Sequence, residues 1–215
     1  MVYPGNRIGR DLSFPDVHMM QDALLIFIRN PVRGKVKSRI ARTAGEEVAL
    51  RIYLALLGHT RAVCTQVDAA RLLFYSDHIG HGDEWAADNF QKFLQQGEGL
   101  GERMLQAFQT ALAEYRRAII IGSDCPAITP ALIHQAFDLL GTHQLVIGPS
   151  ADGGYYLLGM HSPHSILFEH IAWGTGAVFT QTMERAAEIG LKAAMLPTLP
   201  DIDYEEDWER HGWAL

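Results

Sequence analysis

Six short apolar runs punctuate the chain, at residues 23–28, 71–76, 118–121, 144–148, 155–159 and 191–196, each close to glycine, proline or charged residues. Runs of this length and composition read as buried strands. Between them the apolar period changes. Val48, Ile52 and Leu56 recur every four residues, as do Met104, Phe108 and Leu112, and Leu132, Ile133, Ala136, Phe137 and Leu140 make a third stripe. That spacing lines one face of a helix. Strands alternating with helices predict an α/β three-layer sandwich whose mostly parallel sheet is covered on both faces. Thr43 with Glu46 three residues later predicts a capping box at the first helix, and Thr129 with Pro130 predicts an N-cap and first-turn pair. One connection differs. VIGPSADGGYYLLGM links two apolar runs through Asp152, Gly153 and Gly154, too short for a crossover helix, so an antiparallel strand is expected to enter the sheet there.

Composition narrows the function classes. With 215 residues, 48% of them hydrophobic and 20% charged, the chain suits one globular domain with a full core. Residues 1–21 carry Pro4, Gly5, Gly9 and Pro15 without a period and read as an N-terminal arm, leaving 22–215 as the domain. A net charge of -7 argues against a nucleic-acid partner bound by bulk electrostatics. No run has the length of a membrane span and the start has no signal-peptide pattern, so no membrane association is expected. Two cysteines, Cys64 and Cys125, are too few for a disulfide framework and point to a reducing cytoplasm.

Several stretches carry candidate chemistry. RNPVRGKVKSRIAR gathers Arg29, Arg33, Lys35, Lys37, Arg39 and Arg42 directly after the first strand and is expected to end where the first helix begins. Such cations, with Gly34 letting backbone approach, suit a di- or triphosphate, or they form a solvated basic loop. QQGEGLGERM sets three glycines before a helix; they admit a base or ribose, or make an ordinary loop. In IGSDCPAITP, Asp124 emerges past a strand's carboxyl end, where open α/β sheets bind ligands and an acid can hold a metal against phosphate; a plain turn is the alternative. Asp152-Gly153-Gly154 reads as a tight turn, with a second glycine that close approach of a sugar or acceptor would explain. LPDIDYEEDW puts Asp201 and Asp203 on one side of an extended segment. Asp203 then supplies a second carboxylate beside Asp124, or both acids open a terminal helix. HIGH at residues 78–81 lacks the partner motif and length of a synthetase, and the histidines show no zinc spacing.

Taken in order, GKVKSR, GLGERM, GSDCP, ADGGYYLLG and DIDYEEDW resemble the transferases associated with radical-SAM and selenodomain proteins (type one), over roughly residues 22–209. That family is a branch of the glycosyltransferase-A-like nucleotide-diphospho-sugar transferase superfamily and is related to the 2-phospho-lactate guanylyltransferases. The resemblance implies a nucleotide loop of Gly34, Lys35, Lys37 and Arg39, a base-lining turn of Gly99, Leu100 and Gly101, and an acceptor loop of Asp152, Gly153 and Gly154. It implies a Mg2+ or Mn2+ ion on Asp124 and Asp203, with Lys35, Arg39 and Asp124 catalytic. The partners implied are a nucleoside triphosphate or nucleotide-sugar and a small acceptor, with room for a homodimer. The expected activity is metal-dependent nucleotidyl or glycosyl transfer; the alternative is a non-catalytic nucleotide-binding or scaffold protein on the same fold. The chain departs from the family pattern at Gly99, where an acid is expected, in IAWGTGAV around Trp173, which lacks the acceptor loop's prolines, and in DIDYEED, which replaces DIDTPED.

Overall fold

A computed structural model describes residues 22–215; the arm expected over residues 1–21 lies outside the described residues. The strands are β1 (Asp22–Ile28), β2 (Ala70–Tyr75), β3 (Gln91–Leu94), β4 (Arg117–Ile121), β5 (Leu145–Pro149), β6 (Tyr155–Met160) and β7 (Ala193–Met195). They form one sheet in the order β3-β2-β1-β4-β6-β5-β7. All pairings are parallel except those of β6, which runs antiparallel to β4 and β5. The expected antiparallel entrant is therefore β6, delivered by the turn at Asp152 and inserted next to β4.

The strand pattern sorts side chains onto two faces. Leu24, Ile26, Leu73, Tyr75, Ile119 and Ile121 meet helices α2 (Glu46–Cys64) and α4 (Pro130–Leu139). Leu25, Leu72, Phe74, Ala118, Ile120 and Leu158 meet α3 (Leu100–Leu112) and α5 (Val178–Glu188). The central strands are buried on both sides, which is why they read as unbroken apolar runs. Thr129 caps α4 as expected, its Oγ1 accepting from Leu132 N, with Pro130 at the first turn. Among the described residues no helix is long and apolar enough to cross a membrane.

Two expectations fail. The basic stretch does not end at the first helix. It contains one, α1 (Ser38–Ala44), so Arg39 and Arg42 stand on helix rather than loop. The Thr43–Glu46 capping box does not form: Thr43 lies inside α1 and its hydroxyl donates to Ile40 O, while α2 begins after Gly45 with no side-chain cap. Gly45, at φ 88, breaks the helical path between the two and leaves Thr43 on the wrong side of the junction. Helix α6 (Glu205–His211) packs near α1, and Ile202 joins Ile40, Ile52 and Leu56 in a small core beneath them.

Candidate active site

The carboxyl ends of β1, β2 and β4 open into a cleft of about 970 Å³. Because β6 runs the opposite way, its first residues, Tyr155 and Tyr156, reach the same edge. Lys35, Lys37, Arg39, Leu100, Asp124, Asp152, Gly154 and Asp203 all line this cleft, whereas Gly34, Gly99, Gly101 and Gly153 do not.

Lys37 is set in an unusual way. It precedes α1 in the left-handed region, φ 46 and ψ 48, which ordinarily costs a non-glycine residue on the order of 1 kcal/mol. Its side chain is only 5% exposed, and its ammonium meets Asp124 Oδ1 at 2.7 Å and donates to Ile202 O. Ile202 N also donates to Asp124 O, at 2.9 Å. Lys37 thus ties the loop after β4 to the segment before α6 while still lining the cleft. Lys35 is exposed, lines the cleft and has no ion-pair partner among the described residues. Arg39 pairs with Asp203 and lies over the Tyr204 ring, 5.3 Å from its centre. Arg33 turns toward Glu46 and Glu47 instead.

Opposite the cations stands an acidic cluster. Asp152, Asp201 and Asp203 each offer a carboxylate oxygen within 4.8 Å of the other two. Asp152 is fixed by the turn, its Oδ1 accepting from Ser150 Oγ and from Gly154 N at 2.8 Å. Burial pushes Asp201 up to about 6, and the neighbouring Asp152 and Asp203 charges add to the rise. Burial also raises Asp203, against the pull of Lys37 and Arg39. Three hard oxygen donors that repel one another are a fit for a divalent cation of the magnesium or manganese kind, which would relieve the crowding. Asp124 is outside this trio. One of its oxygens is held by Lys37, and its side chain is 52% exposed.

The glycines divide by what they face. Gly153 has φ +89, and a Cβ there would lie 2.3 Å from Gly176 O, so the protein's own backbone requires it. Leu100 and Gly101 stand in the first turn of helix α3 rather than in a loop, and a Cβ on Gly101 would lie 2.8 Å from the Trp173 ring. Trp173 in turn stands edge-on to Tyr155, ring centres 6.5 Å apart. Gly154 keeps an ordinary φ beside the Asp152 and Ser150 side chains.

Sequence reasoning placed Asp201 beside Asp203 but not within an acidic trio, because the third member, Asp152, comes from a turn some fifty residues away. Trp173 and Gln95 were not singled out as site residues; both line the cleft, and only three-dimensional contact reveals it.

A parallel sheet interrupted by one antiparallel strand, with cations and carboxylates facing each other beyond its carboxyl edge, is the fold of the nucleotide-diphospho-sugar transferases. A solved structure from Desulfovibrio desulfuricans G20, assigned as a nucleotide-diphospho-sugar transferase, superposes with a TM-score of 0.78 at 30% identity, over 86% of this chain and 83% of that one. Two more distant structures share the fold. The 4-diphosphocytidyl-2C-methyl-D-erythritol synthase of Anaerococcus prevotii matches at TM-score 0.58 and 10% identity over 90% and 95% of the chains. The Rv0371c protein of Mycobacterium tuberculosis, solved with manganese, matches at TM-score 0.51 and 14% identity over 91% and 100%. No curated protein matches the chain. Residues 59–175 match DUF2064, described as an uncharacterized protein conserved in bacteria, and the chain belongs to that family.

Proposed function

We propose that the protein is a transferase of a nucleotidyl or glycosyl group, dependent on Mg2+ or Mn2+, taking a nucleoside triphosphate or nucleotide-sugar and a small acceptor. The observation that supports it most is the meeting of Lys35 and Arg39 with the Asp152, Asp201 and Asp203 carboxylates in one cleft at the sheet's carboxyl edge. Open α/β sheets bind ligands at that edge, and a di- or triphosphate needs charge from the protein and from an ion together. The family resemblance and the fold shared with transferases agree with this reading.

In this reading Lys35 receives the phosphates, because it is an exposed cation of the cleft with no ion-pair partner among the described residues, a state that Arg29 shares. Arg39 holds Asp203 and turns it into the acidic cluster. Lys37 keeps Asp124 and the segment before α6 in register. Asp152, Asp201 and Asp203 would hold the divalent ion, with Asp124 facing them from the end of β4. Such an ion, when bound, neutralises charge on phosphate oxygens and on the departing diphosphate. For nucleotidyl transfer an acceptor oxygen forms a bond to the α-phosphorus while the bridge to the β-phosphate breaks; for glycosyl transfer the acceptor bonds to the anomeric carbon and the nucleoside diphosphate leaves. Asp152, anchored by its own turn, and Trp173 border the space where the acceptor would enter. The test is nucleotide affinity of Lys35→Ala and Arg39→Ala by calorimetry with magnesium present. Each is expected to weaken binding about tenfold with the melting temperature nearly unchanged, since exposed cations add little stability. Parent-like affinity in both would overturn the phosphate assignment.

A further inference from the structure

Two cations stand near Asp203, and they are held very differently. Lys37 is 5% exposed and bonded at once to Asp124 and to Ile202 O, so it cannot move without undoing that tie. Arg39 stands on α1 with its side chain 44% exposed, and its guanidinium has a single polar partner among the described residues, Asp203 Oδ2. Its other support is the Tyr204 ring, whose centre lies 5.3 Å from the guanidinium carbon. Tyr204 is 52% exposed, so this ring is a bench at the surface rather than a piece of core. The strip that carries both partners is fixed. Asp203 N and Tyr204 N donate to Asp207 Oδ2 at 3.1 and 2.8 Å, and Ile202 N donates to Asp124 O. Arg39 is therefore a movable charge set against an anchored acid. Asp203 is also the one member of the carboxylate trio with an ion-pair partner among the described residues. A divalent ion on the trio and a guanidinium on Asp203 are like charges at close range, and they repel.

We propose that Arg39 and the divalent ion exchange at Asp203, with Tyr204 as the positioning residue that carries the guanidinium through the exchange. This rests on the ion and phosphate roles proposed above. When an ion binds the trio, Arg39 leaves Asp203 and turns into the cleft that it already lines, where it meets the phosphates. The contact with the Tyr204 ring does not depend on the charge of Asp203, so it persists through the move and keeps the guanidinium close instead of releasing it to solvent. The consequence is coupling. Until the ion arrives, a cation needed by the phosphates is occupied by an acid needed by the ion, so each ligand favours the binding of the other.

The experiment is calorimetric titration of the full protein with Mn2+ alone, and then with pyrophosphate in excess Mn2+, on the parent, Arg39→Ala, Lys35→Ala, Tyr204→Leu and Tyr204→Phe. Arg39→Ala is expected to bind Mn2+ about fivefold more tightly than the parent, the size of one exposed ion pair that no longer competes, yet to bind pyrophosphate about tenfold more weakly. Those opposite signs are the signature. A residue that only props up the acidic cluster would weaken both on removal, and one that only touches phosphate would leave Mn2+ binding alone. Tyr204→Leu should move both affinities in the same directions as Arg39→Ala by about twofold, and Tyr204→Phe, which keeps the ring, should restore the parent values. Mn2+ affinity in Arg39→Ala equal to or below that of the parent would overturn the exchange while leaving the ion reading standing. So would an equal tightening in Lys35→Ala, which would mark a bulk charge effect, or a Tyr204→Leu variant that matches the parent in both titrations. Absence of Mn2+ binding by the parent would remove the exchange and the ion reading together.

Discussion

Replacing Asp201 by Asn should stabilise the metal-free protein. Asp201 is raised to about 6 from an ordinary 3.8 by burial and by its neighbours Asp152 and Asp203. At about 1.36 kcal/mol for each pH unit, that gap corresponds to roughly 3 kcal/mol of unfavourable charge, and because the site borders open cleft, solvent screening brings it nearer 1–2 kcal/mol. The sign follows from proton linkage. Below about pH 4 the proton is bound in both folded and unfolded chains, so Asp201 costs nothing. Between about pH 4 and 6 the folded protein holds a proton that the unfolded chain has released, and stability falls as pH rises through that window. Above about pH 6 the full cost remains. Asn cannot ionise, so the variant escapes it. At pH 7.5, with a chelator present, Asp201→Asn is expected to melt above the parent by about 2–4 °C for each kcal/mol relieved, and the difference should close below about pH 4. Magnesium should narrow it from the other side, by stabilising the parent more than the variant. Thermal melts by circular dichroism across this pH range, with and without magnesium, make the comparison. A variant that melts below the parent at pH 7.5 without metal would refute the reasoning, because Asp201 would then be making net favourable contacts rather than crowding two other acids.

Asp124→Asn should act in the opposite direction. It takes from the Lys37 ammonium, 5% exposed, its directly bonded acid and leaves only the Asp203 charge nearby, a loss of about 2 kcal/mol once the exposure of Asp124 is allowed for, and a shift in urea midpoint reports it. Pairing the change with Lys37→Met should recover part of that loss, and additive effects in the double variant would show that the pair is not coupled. Gly153→Ala places a methyl group against Gly176 O and forces a positive φ, so a loss of at least about 2 kcal/mol is expected in the same assay; parent-like stability would mean the turn relaxes freely.

The elements that announced themselves in the sequence are those with the simplest surroundings. β1, β4 and β5 are enclosed on both faces, so their composition alone marks them as strands. β3 was missed: Gln91–Leu94 is an edge strand with an exposed-to-intermediate pattern and one buried-side aromatic, Phe93, and nothing local separates it from a polar loop. α1 was missed because its seven residues are crowded with cations that read as a phosphate loop, and its start is an αL lysine rather than a capping side chain. At the site, the chemistry of single residues was legible but their partnerships were not. Nothing in the basic stretch distinguishes Lys37 from its neighbours, yet it alone is buried against Asp124 and Ile202 O. Gly101 was expected at the base and Gly153 in the turn before the acceptor glycine; a Cβ at the first would meet the Trp173 ring and at the second the Gly176 backbone, contacts no local pattern announces. Asp152 and Asp203 were expected on opposite duties, acceptor and metal, and meet in one cluster because β6 brings its turn to the same edge as the segment before α6.

In the proposed reaction nucleotide and divalent ion are bound together through the carboxylates of this cleft. Calorimetric titration of a nucleoside triphosphate and nucleotide-sugar panel, with magnesium, with manganese and with a chelator, on the parent and on Asp203→Asn, tests it most directly. A ligand that binds the parent only with metal is expected, with at least about a tenfold loss in Asp203→Asn and the fold intact. A nucleotide that binds equally well with chelator, or a panel that never binds under any of these conditions, would contradict it.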